Sequence, residues 1–386
     1  MKNRLVLAGA AVAASVGLCV VASPAIAQPS DTTITCGDVA GLIAAIGAAN
    51  ANVEGGTITL AENCAYRFEE AYTRTGNALP AITGHVTLTG KNSTLIRSVV
   101  ESLPLFRILA VSDGGSLTLD GITVTGGRID GNGAGITNAG TLRLEHSKVA
   151  GNQASGVGGG ISNEGGDVTL INSDVLTNVV TATGNDSGDG GGISNDAEGT
   201  LRVKKSTVAG NAADQDGGGI QNLGTVTIEH SHLANNDARE GNGGGLNNLG
   251  RATVTYSKII ENWAGLEGGG INNGVDATLD IQESSLDGNK SGRDGGAINN
   301  EGTATLSKSK VLENSAGRDG GGINNEQVDG ADAARLTLAH TTVSDNRAAR
   351  NGGGINNWPG GVVTLTDSKI IKNLPTNCYG TVPGCS

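Results

Sequence analysis

One column of acidic side chains is a candidate metal site. The residue directly before successive copies of a Gly-Gly-x-aliphatic motif is an acid or an amide: Asp189, Asp216, Asn242, Glu267, Asp294, Asp319 and Asn351. Carboxylates stacked at a strand spacing of about 4.8 Å repel one another, and calcium, which takes oxygen ligands, would relieve that repulsion. The pattern therefore suggests a calcium ladder at Asp189, Asp216, Glu267, Asp294 and Asp319. Two alternatives stay open: ion pairs with Arg293, Arg318 and Arg350, and Asp as an ordinary turn residue before Gly.

This column belongs to a repeat that governs most of the 386-residue chain. A Gly-Gly-aliphatic-x-Asn motif recurs at intervals of 25 to 32 residues, with its Asn at Asn138, Asn163, Asn195, Asn222, Asn248, Asn273, Asn300, Asn325 and Asn357. Between these motifs runs aliphatic-x-aliphatic-x-x-Ser-x-aliphatic-x-x-Asn, which ends in a second Asn column from Asn152 to Asn373. The alternation has period two, which predicts three short strands per repeat.

Strands that restart in fixed register predict an all-β fold, a right-handed parallel β-helix of about twelve rungs. Aliphatic ladders would fill the interior, and the second Asn column would lie in a turn in a structural role. The 64 Gly residues suit turns that need positive φ. They also argue against a mainly helical protein, because each interior Gly costs a helix about 1 kcal/mol.

The first residues predict export. Lys2 and Arg4 precede an apolar run, and Ala25-Ile26-Ala27 offers the small-x-small pattern of a signal-peptidase site. Cleavage after Ala27 removes Cys19 and leaves Cys36, Cys64, Cys378 and Cys385. We expect the local disulfides Cys36–Cys64 and Cys378–Cys385, with other pairings or a zinc site as alternatives.

The chain divides into four predicted segments. They are a signal peptide (1–27), an N-terminal cap with an amphipathic helix over Asp38 to Ala51 (28–56), the parallel β-helix (57–373) and a disulfide-closed C-terminal cap (374–386). An uncleaved membrane anchor is the alternative for the first segment. With the signal peptide removed, no segment is predicted to cross a membrane.

Three stretches carry a resemblance to a known family. They are Leu42 to Leu60 (LIAAIGAANANVEGGTITL), Phe106 to Val111 leading into SLTLDGITVTGG, and the GGGIxN arrays. The chain resembles exported bacterial right-handed parallel β-helix proteins of the pectate-lyase-like superfamily, and the arrays look like those of polymorphic outer-membrane proteins and autotransporter passengers. The resemblance implies the fold but little about activity, because that family includes lyases, hydrolases, epimerases and adhesins.

The sequence favours a protein without catalysis, although it does not decide the point. A lyase of this kind needs clustered carboxylates for Ca²⁺ and a basic residue, but the predicted middle strand presents mostly Thr and Arg outward, with Asp280 as its one acid. Arg128 to Gly133 is similar to a GxIDGxG stretch of polygalacturonases, whose other catalytic elements are missing here. His146, His230 and His340 share one column with no Asp aligned beside them, and we expect outward or turn positions for them. No catalytic residue is predicted.

Charge and composition limit the partners. The formal net charge of −12 makes nucleic acid a poor partner. Trp263 and Trp358, the only Trp residues, fall in different columns and make no aromatic track. We expect a secreted monomer without a cofactor, calcium aside, that contacts a polysaccharide or a cell-surface ligand in adhesion or glycan contact. A polysaccharide lyase or glycoside hydrolase with a non-standard site is the alternative.

Overall fold

A computed structural model describes residues 31–73, 76–98, 104–183, 187–328 and 330–385. The predicted signal peptide lies outside the described residues. The described chain forms a parallel β-solenoid of about twelve turns with one short helix near its N-terminus. Each repeat pairs in register with the next, for example Ile271 with Ile298 and Asn273 with Asn300. The predicted fold class is confirmed.

Each regular turn contains four strands, which we name by position: the motif strand, the long strand, the bend strand and the short strand. One sheet contains the nine motif strands: Ile136–Asn138, Ile161–Asn163, Ile193–Asn195, Ile220–Asn222, Leu246–Asn248, Ile271–Asn273, Ile298–Asn300, Ile323–Asn325 and Ile355–Asn357. Two further strands, Leu109–Val111 and Cys378–Tyr379, extend this sheet at its N-terminal and C-terminal ends. The short strands form another sheet: Arg128–Ile129, Gln153–Ala154, Val179–Val180, Ala212–Ala213, Asp237–Ala238, Trp263–Ala264, Lys290–Ser291, Ser315–Ala316 and Arg347–Ala348.

The long and bend strands share the largest sheet. The long strands are Thr141–Glu145, Asp167–Ile171, Thr200–Lys204, Thr225–Glu229, Arg251–Thr255, Thr278–Gln282, Thr303–Ser307, Arg335–Ala339 and Val362–Thr366. The bend strands are Lys148–Ala150, Asp174–Leu176, Thr207–Ala209, His232–Ala234, Lys258–Ile260, Ser285–Asp287, Lys310–Leu312, Thr342–Ser344 and Lys369–Ile371. The N-terminal turns add Thr32–Ile34, Gly56–Leu60, Ala65–Phe68, His85–Arg97 and Ser116–Thr125.

A corner between the long and bend strands explains why each turn has four strands instead of the predicted three. The residue before the Ser column adopts positive φ, as at His230 (φ 50°), and breaks the extended run. The Ser231 hydroxyl donates to the Glu229 carbonyl (2.7 Å) and accepts the backbone N–H of Ser206 (3.1 Å). One predicted strand is therefore two strands joined at a hydrogen-bonded bend.

Buried amides hold the next corner. In the second Asn column, Asn236 donates from Nδ2 to the Val208 carbonyl (2.9 Å) and to Oδ1 of Asn262 (3.0 Å). Its own Oδ1 accepts the backbone N–H (3.1 Å) and the Nδ2 group (3.0 Å) of Asn211. The column thus satisfies backbone groups that the turn leaves without strand partners, which agrees with the structural role predicted for it.

The two glycines of the motif serve different purposes. Gly295 adopts the left-handed conformation (φ 65°), as predicted. Gly296 has no such φ, but a Cβ there would overlap the carbonyl oxygen of Gly321 in the next turn. The second glycine therefore allows close backbone approach between turns, a requirement that the sequence analysis did not foresee.

The two ends are closed as predicted. Helix Val39–Ala51 starts after Asp38, whose side chain accepts the Gly41 N–H (2.8 Å), and it buries Leu42, Ile46 and Ala49. The disulfides Cys36–Cys64 and Cys378–Cys385 form, with Cα–Cα distances of 5.6 Å and 6.3 Å. No helix among the described residues is long and apolar enough to cross a membrane.

We predict that Asn236→Ala lowers the free energy of unfolding by about 3 kcal/mol. The substitution leaves the Asn211 N–H without its acceptor, at a cost of about 1–3 kcal/mol, and removes the buried amide contacts with Val208, Asn211 and Asn262. The measurement is chemical denaturation followed by circular dichroism. Thr225→Ala, on the exposed face of the same turn, is the control and should change stability by less than about 0.5 kcal/mol. Equal effects of the two substitutions would contradict the assigned role.

Candidate functional site

The predicted acidic column does form a ladder, and its Asp members support the stack. Oδ1 of Asp189 accepts the backbone N–H of Asp216 (3.0 Å), and Oδ1 of Asp216 accepts that of Asn242 (2.7 Å). Oδ1 of Asp294 likewise accepts the N–H of Asp319 (3.0 Å). One oxygen of each of these carboxylates is thus engaged by the next turn.

Glu267 departs from this pattern. Its backbone N–H donates to Oδ1 of Asn242 (3.2 Å), while its longer side chain accepts from Nδ2 of Asn299 (3.1 Å). Arg318 pairs with Asp294, with Nε 3.1 Å from Oδ1, and lies 3.9 Å from Asp319. Arg318 therefore provides one of the ion pairs considered as an alternative to calcium. Calcium at this column stays a prediction.

Beside the acidic column runs a buried amide row that the sequence analysis missed. We call it the outer amide ladder: Gln221, Asn247, Asn272, Asn299, Asn324 and Asn356. Each Asn donates from Nδ2 to the side-chain oxygen of the preceding member, as Asn299 does to Asn272 (3.0 Å). These residues occupy the variable position of the motif, where the change from Ser to Gln and Asn after the Ile193 repeat was the available signal.

Two glutamates form the opposite wall. Asn299 donates to Glu301 (3.1 Å), and Asn324 donates to Glu326 (3.1 Å). We call the strip between this wall and the acidic column, with the outer amide ladder as its floor, the carboxylate groove. It brings five carboxyl groups together: Glu267, Asp294, Glu301, Asp319 and Glu326.

Burial raises the pKa values of three carboxyl groups in the carboxylate groove. Desolvation raises the pKa of Glu267 to about 7, and the negative charges of Asp294, Glu301 and Glu326 add to the rise, while Arg318 opposes it. Burial is also the main reason why the pKa values of Glu301 and Glu326 are raised. A group with a pKa of about 7 is about half protonated at neutral pH, whereas a fully exposed carboxyl group would be ionised there.

The groove opens into a small polar cavity at its N-terminal end. Because Ser162 and Ser194 replace the larger amides there, a space of about 250 Å³ remains. Glu164, Asp189 and Asp196 line this space, which we call the serine pocket. Burial, with the neighbouring charge of Asp216, raises the pKa of Asp189 to about 6, although hydrogen bonds to the carboxylate oppose the rise.

A second missed feature lies at the corner between long and bend strands. The rings of His230 and Tyr256 stack with their centroids 4.9 Å apart and their planes 18° apart. Tyr256 is 49% exposed, and its hydroxyl donates to Oε1 of Glu283 (3.3 Å). The two residues are 26 positions apart at the same place in the repeat, so register alone would have identified the pair.

The histidine column also corrects the sequence analysis. His146, His230 and His340 are exposed at the corner, as expected. Each nevertheless has a carboxylate beside its Nδ1, Asp120 at 3.1 Å, Glu229 at 3.4 Å and Asp367 at 3.9 Å respectively. The acids belong to the preceding turn, the same turn and the following turn respectively. Asp367 occupies the histidine column itself and could have been found there, whereas Asp120 and Glu229 lie one position before that column.

The chain matches no protein-family model and no curated protein. Solved structures similar to it include the A-module of mannuronan C-5 epimerase AlgE4 from Azotobacter vinelandii (TM-score 0.44, 14% identity, covering 90% of this chain and 95% of that one). Another is endo-xylogalacturonan hydrolase from Aspergillus tubingensis (TM-score 0.38, 13% identity, covering 92% and 100%). A third is 1,3-α-1,4-β-D-galactose-4-sulfate-3,6-anhydro-D-galactose-2-sulfate 4-galactohydrolase (TM-score 0.29, 11% identity, covering 93% and 92%). At these TM-scores the similarities carry no argument about the chemistry of this chain.

We predict that Glu267→Gln stabilises the protein above neutral pH. The folded-state pKa of about 7 exceeds the ordinary value of 4.5, so the stability linked to this group is fully present below about 4.5 and is lost as pH rises through about 7. Gln keeps an oxygen to accept from Asn299 and carries no charge. We expect a gain on the order of 2 kcal/mol at pH 8, allowing for partial solvent screening, and almost none at pH 4.

The measurement is the denaturation midpoint as a function of pH. Glu240→Gln, at an exposed site, is the matched control and should leave the profile unchanged. If the denaturation midpoints of Glu267→Gln and the wild type changed with pH in parallel, folding would not raise the pKa of Glu267 and the prediction would be wrong.

Proposed function

We propose that this protein is a secreted β-helix that acts by contact with glycan at or outside the cell surface, without catalysis. The observation that carries the proposal is the stacked pair of His230 and Tyr256 on an exposed corner. We call this pair the aromatic platform.

The aromatic platform is held in one orientation. His230 supports one face of the Tyr256 ring, and Glu283 anchors its hydroxyl. Aromatic surface combined with a small number of fixed polar groups is typical of sites that bind a ligand with both apolar and hydroxyl groups. Such an arrangement suits the C–H face of a sugar, and a ring that is already fixed loses little side-chain entropy on binding.

Polar and cationic groups surround the platform. His232 and Lys258 are exposed partners in neighbouring bend strands, and Lys308 lies 3.8 Å from Glu283. These groups offer donors to hydroxyl or carboxylate oxygens on a sugar chain. Because the solenoid is extended and rigid, a long polymer would meet a continuous surface.

Secretion and a monomeric state are part of the proposal. Two disulfides suit an oxidising compartment, and the N-terminal sequence has the features of a signal peptide. The net charge of −12 disfavours nucleic acid as a partner.

A polysaccharide lyase or glycoside hydrolase is the second candidate, and the serine pocket is the observation that favours it. Asp189, with its pKa raised to about 6, shares this pocket with Glu164 and Asp196. A carboxyl group whose pKa is raised toward neutrality, close to other carboxyl groups, is an arrangement that general acid and base catalysis uses. A calcium ion in the acidic column would be compatible with both candidate functions, glycan contact and catalysis.

We predict that Tyr256→Asn weakens glycan binding at least about tenfold, because it removes the ring while Asn tolerates the positive φ at this site. Affinity electrophoresis in polygalacturonate, alginate and arabinogalactan, together with whole-cell binding, measures the effect. Trp263→Ala is the control, since Trp263 is similarly exposed (41%) but lies on the sheet of short strands. Loss of binding in the control with retention in Tyr256→Asn would refute the platform as the contact site.

The catalytic alternative predicts new reducing ends or unsaturated products when the protein is incubated with the same polysaccharides, with and without Ca²⁺. Product formation abolished by Asp189→Asn would replace contact with catalysis as the function. No product from any of these substrates, together with retained binding, supports contact.

A further inference from the structure

Away from the carboxylate groove and the aromatic platform, one corner brings together an imidazole and two carboxylates. Asp120 and Glu145 are paired across neighbouring turns, and His146 directly follows Glu145. Nδ1 of His146 lies 3.1 Å from Oδ1 of Asp120. One donor atom from each of the three side chains lies within 4.8 Å of the others, and no other such group of three occurs among the described residues.

A local departure from the repeat makes this cluster possible. Register places Gly121 opposite His146 in the preceding turn, so no side chain occupies the space toward which the imidazole turns. At the equivalent corner farther along, Lys205 occupies the position opposite His230 in the preceding turn, and Tyr256 of the following turn stacks on the imidazole ring. Among the described residues, His340 has one ion-pair partner, Asp367, at 3.9 Å.

We propose that Asp120, Glu145 and His146 form a binding site for a zinc-type divalent transition metal ion. One imidazole nitrogen and two carboxylate oxygens are ligands that zinc accepts together, whereas calcium takes oxygen ligands alone. Three protein ligands would leave coordination positions for water, as in open zinc sites. This site is distinct from the acidic column, where every side-chain ligand is an oxygen.

The present distances allow the site to close. Ligands about 2.1 Å from a tetrahedral zinc ion lie about 3.4 Å apart. Nδ1 of His146 and Oδ1 of Asp120 are already at about this separation, at 3.1 Å, and the donor atom of Glu145 lies within 4.8 Å of both, so only a small approach is needed. The side chains of His146, Asp120 and Glu145 are 64%, 46% and 29% exposed, which leaves room for such rotations.

Neighbouring groups limit the affinity without blocking the site. Arg143 pairs with Oε1 of Glu145, and that carboxylate also carries Oε2. Nδ2 of Asn172 lies 3.5 Å from Nε2 of His146. Lys148 lies 3.9 Å from Asp174 at the adjoining bend. Because Arg143 competes for Glu145 and the ligands are partly exposed, the site would bind more weakly than a buried structural zinc site.

The test is isothermal titration of Zn²⁺ into the full chain, exported with its own N-terminal segment and carrying no affinity tag. We expect one zinc ion to bind per chain. His146→Asn should weaken zinc binding at least about tenfold, because loss of a residue that only supports a ligand already lowers metal affinity by about 10-fold to 100-fold. Asn is chosen because it tolerates the positive φ of His146. Asp120→Asn should weaken binding as well, and unchanged thermal unfolding without metal would show that both variants fold.

His340→Asn is the matched control, since His340 occupies the same corner position (φ 51°) beside one carboxylate. It should bind zinc as the wild type does. Zinc binding by His146→Asn equal to that of the wild type would overturn the proposal. The proposal would also be overturned if Ca²⁺ bound as tightly as Zn²⁺ and His146→Asn did not weaken that binding. An ion that takes only oxygen ligands does not need the imidazole.

Discussion

The structure depends on amide side chains that repeat the backbone's own hydrogen bonds at its corners. A strand finds partners above and below, but each corner turns N–H and C=O groups away from that pattern, and a buried polar group without a partner costs about 1–3 kcal/mol. The column represented by Asn236 answers this requirement in nearly every turn, since one amide accepts from the turn before it and donates to the turn after it. The aliphatic interior can then stack without gaps, as the fully buried Ile220 and Ile271 illustrate.

The same demand shapes the distribution of charge. Asp residues before the glycine pair accept backbone N–H groups and thereby help to hold the turns together. Their repetition concentrates negative charge along one edge, where the outer amide ladder and Arg318 offset only part of it. Burial of Glu267 within this column raises its pKa, and the negative charges of the neighbouring acids add to the rise.

The candidate binding sites of this protein lie where a residue departs from the repeat. Ser162 and Ser194 open a pocket because they are smaller than the amides below them. Gly121 leaves room beside His146, and Tyr256 presents a phenol ring in a column where other turns carry Asn, Lys, His or an acidic residue. A regular turn uses most of its hydrogen-bonding capacity internally, so groups able to bind a ligand arise mainly at such departures.

The amino-acid sequence determined the solenoid, its helical cap, its disulfides and the alignment of its columns, because a period of 25 to 32 residues fixes which residues stack along the axis. Only the tertiary structure decided which columns lie next to each other around the circumference. Asp120 meets His146, and Glu267 meets Asn299, through contacts between turns and across strand faces. The angle at each corner and the depth of each groove set those distances. They depend on how the four strands of a turn close into one ring, which the spacing of residues along the chain does not specify.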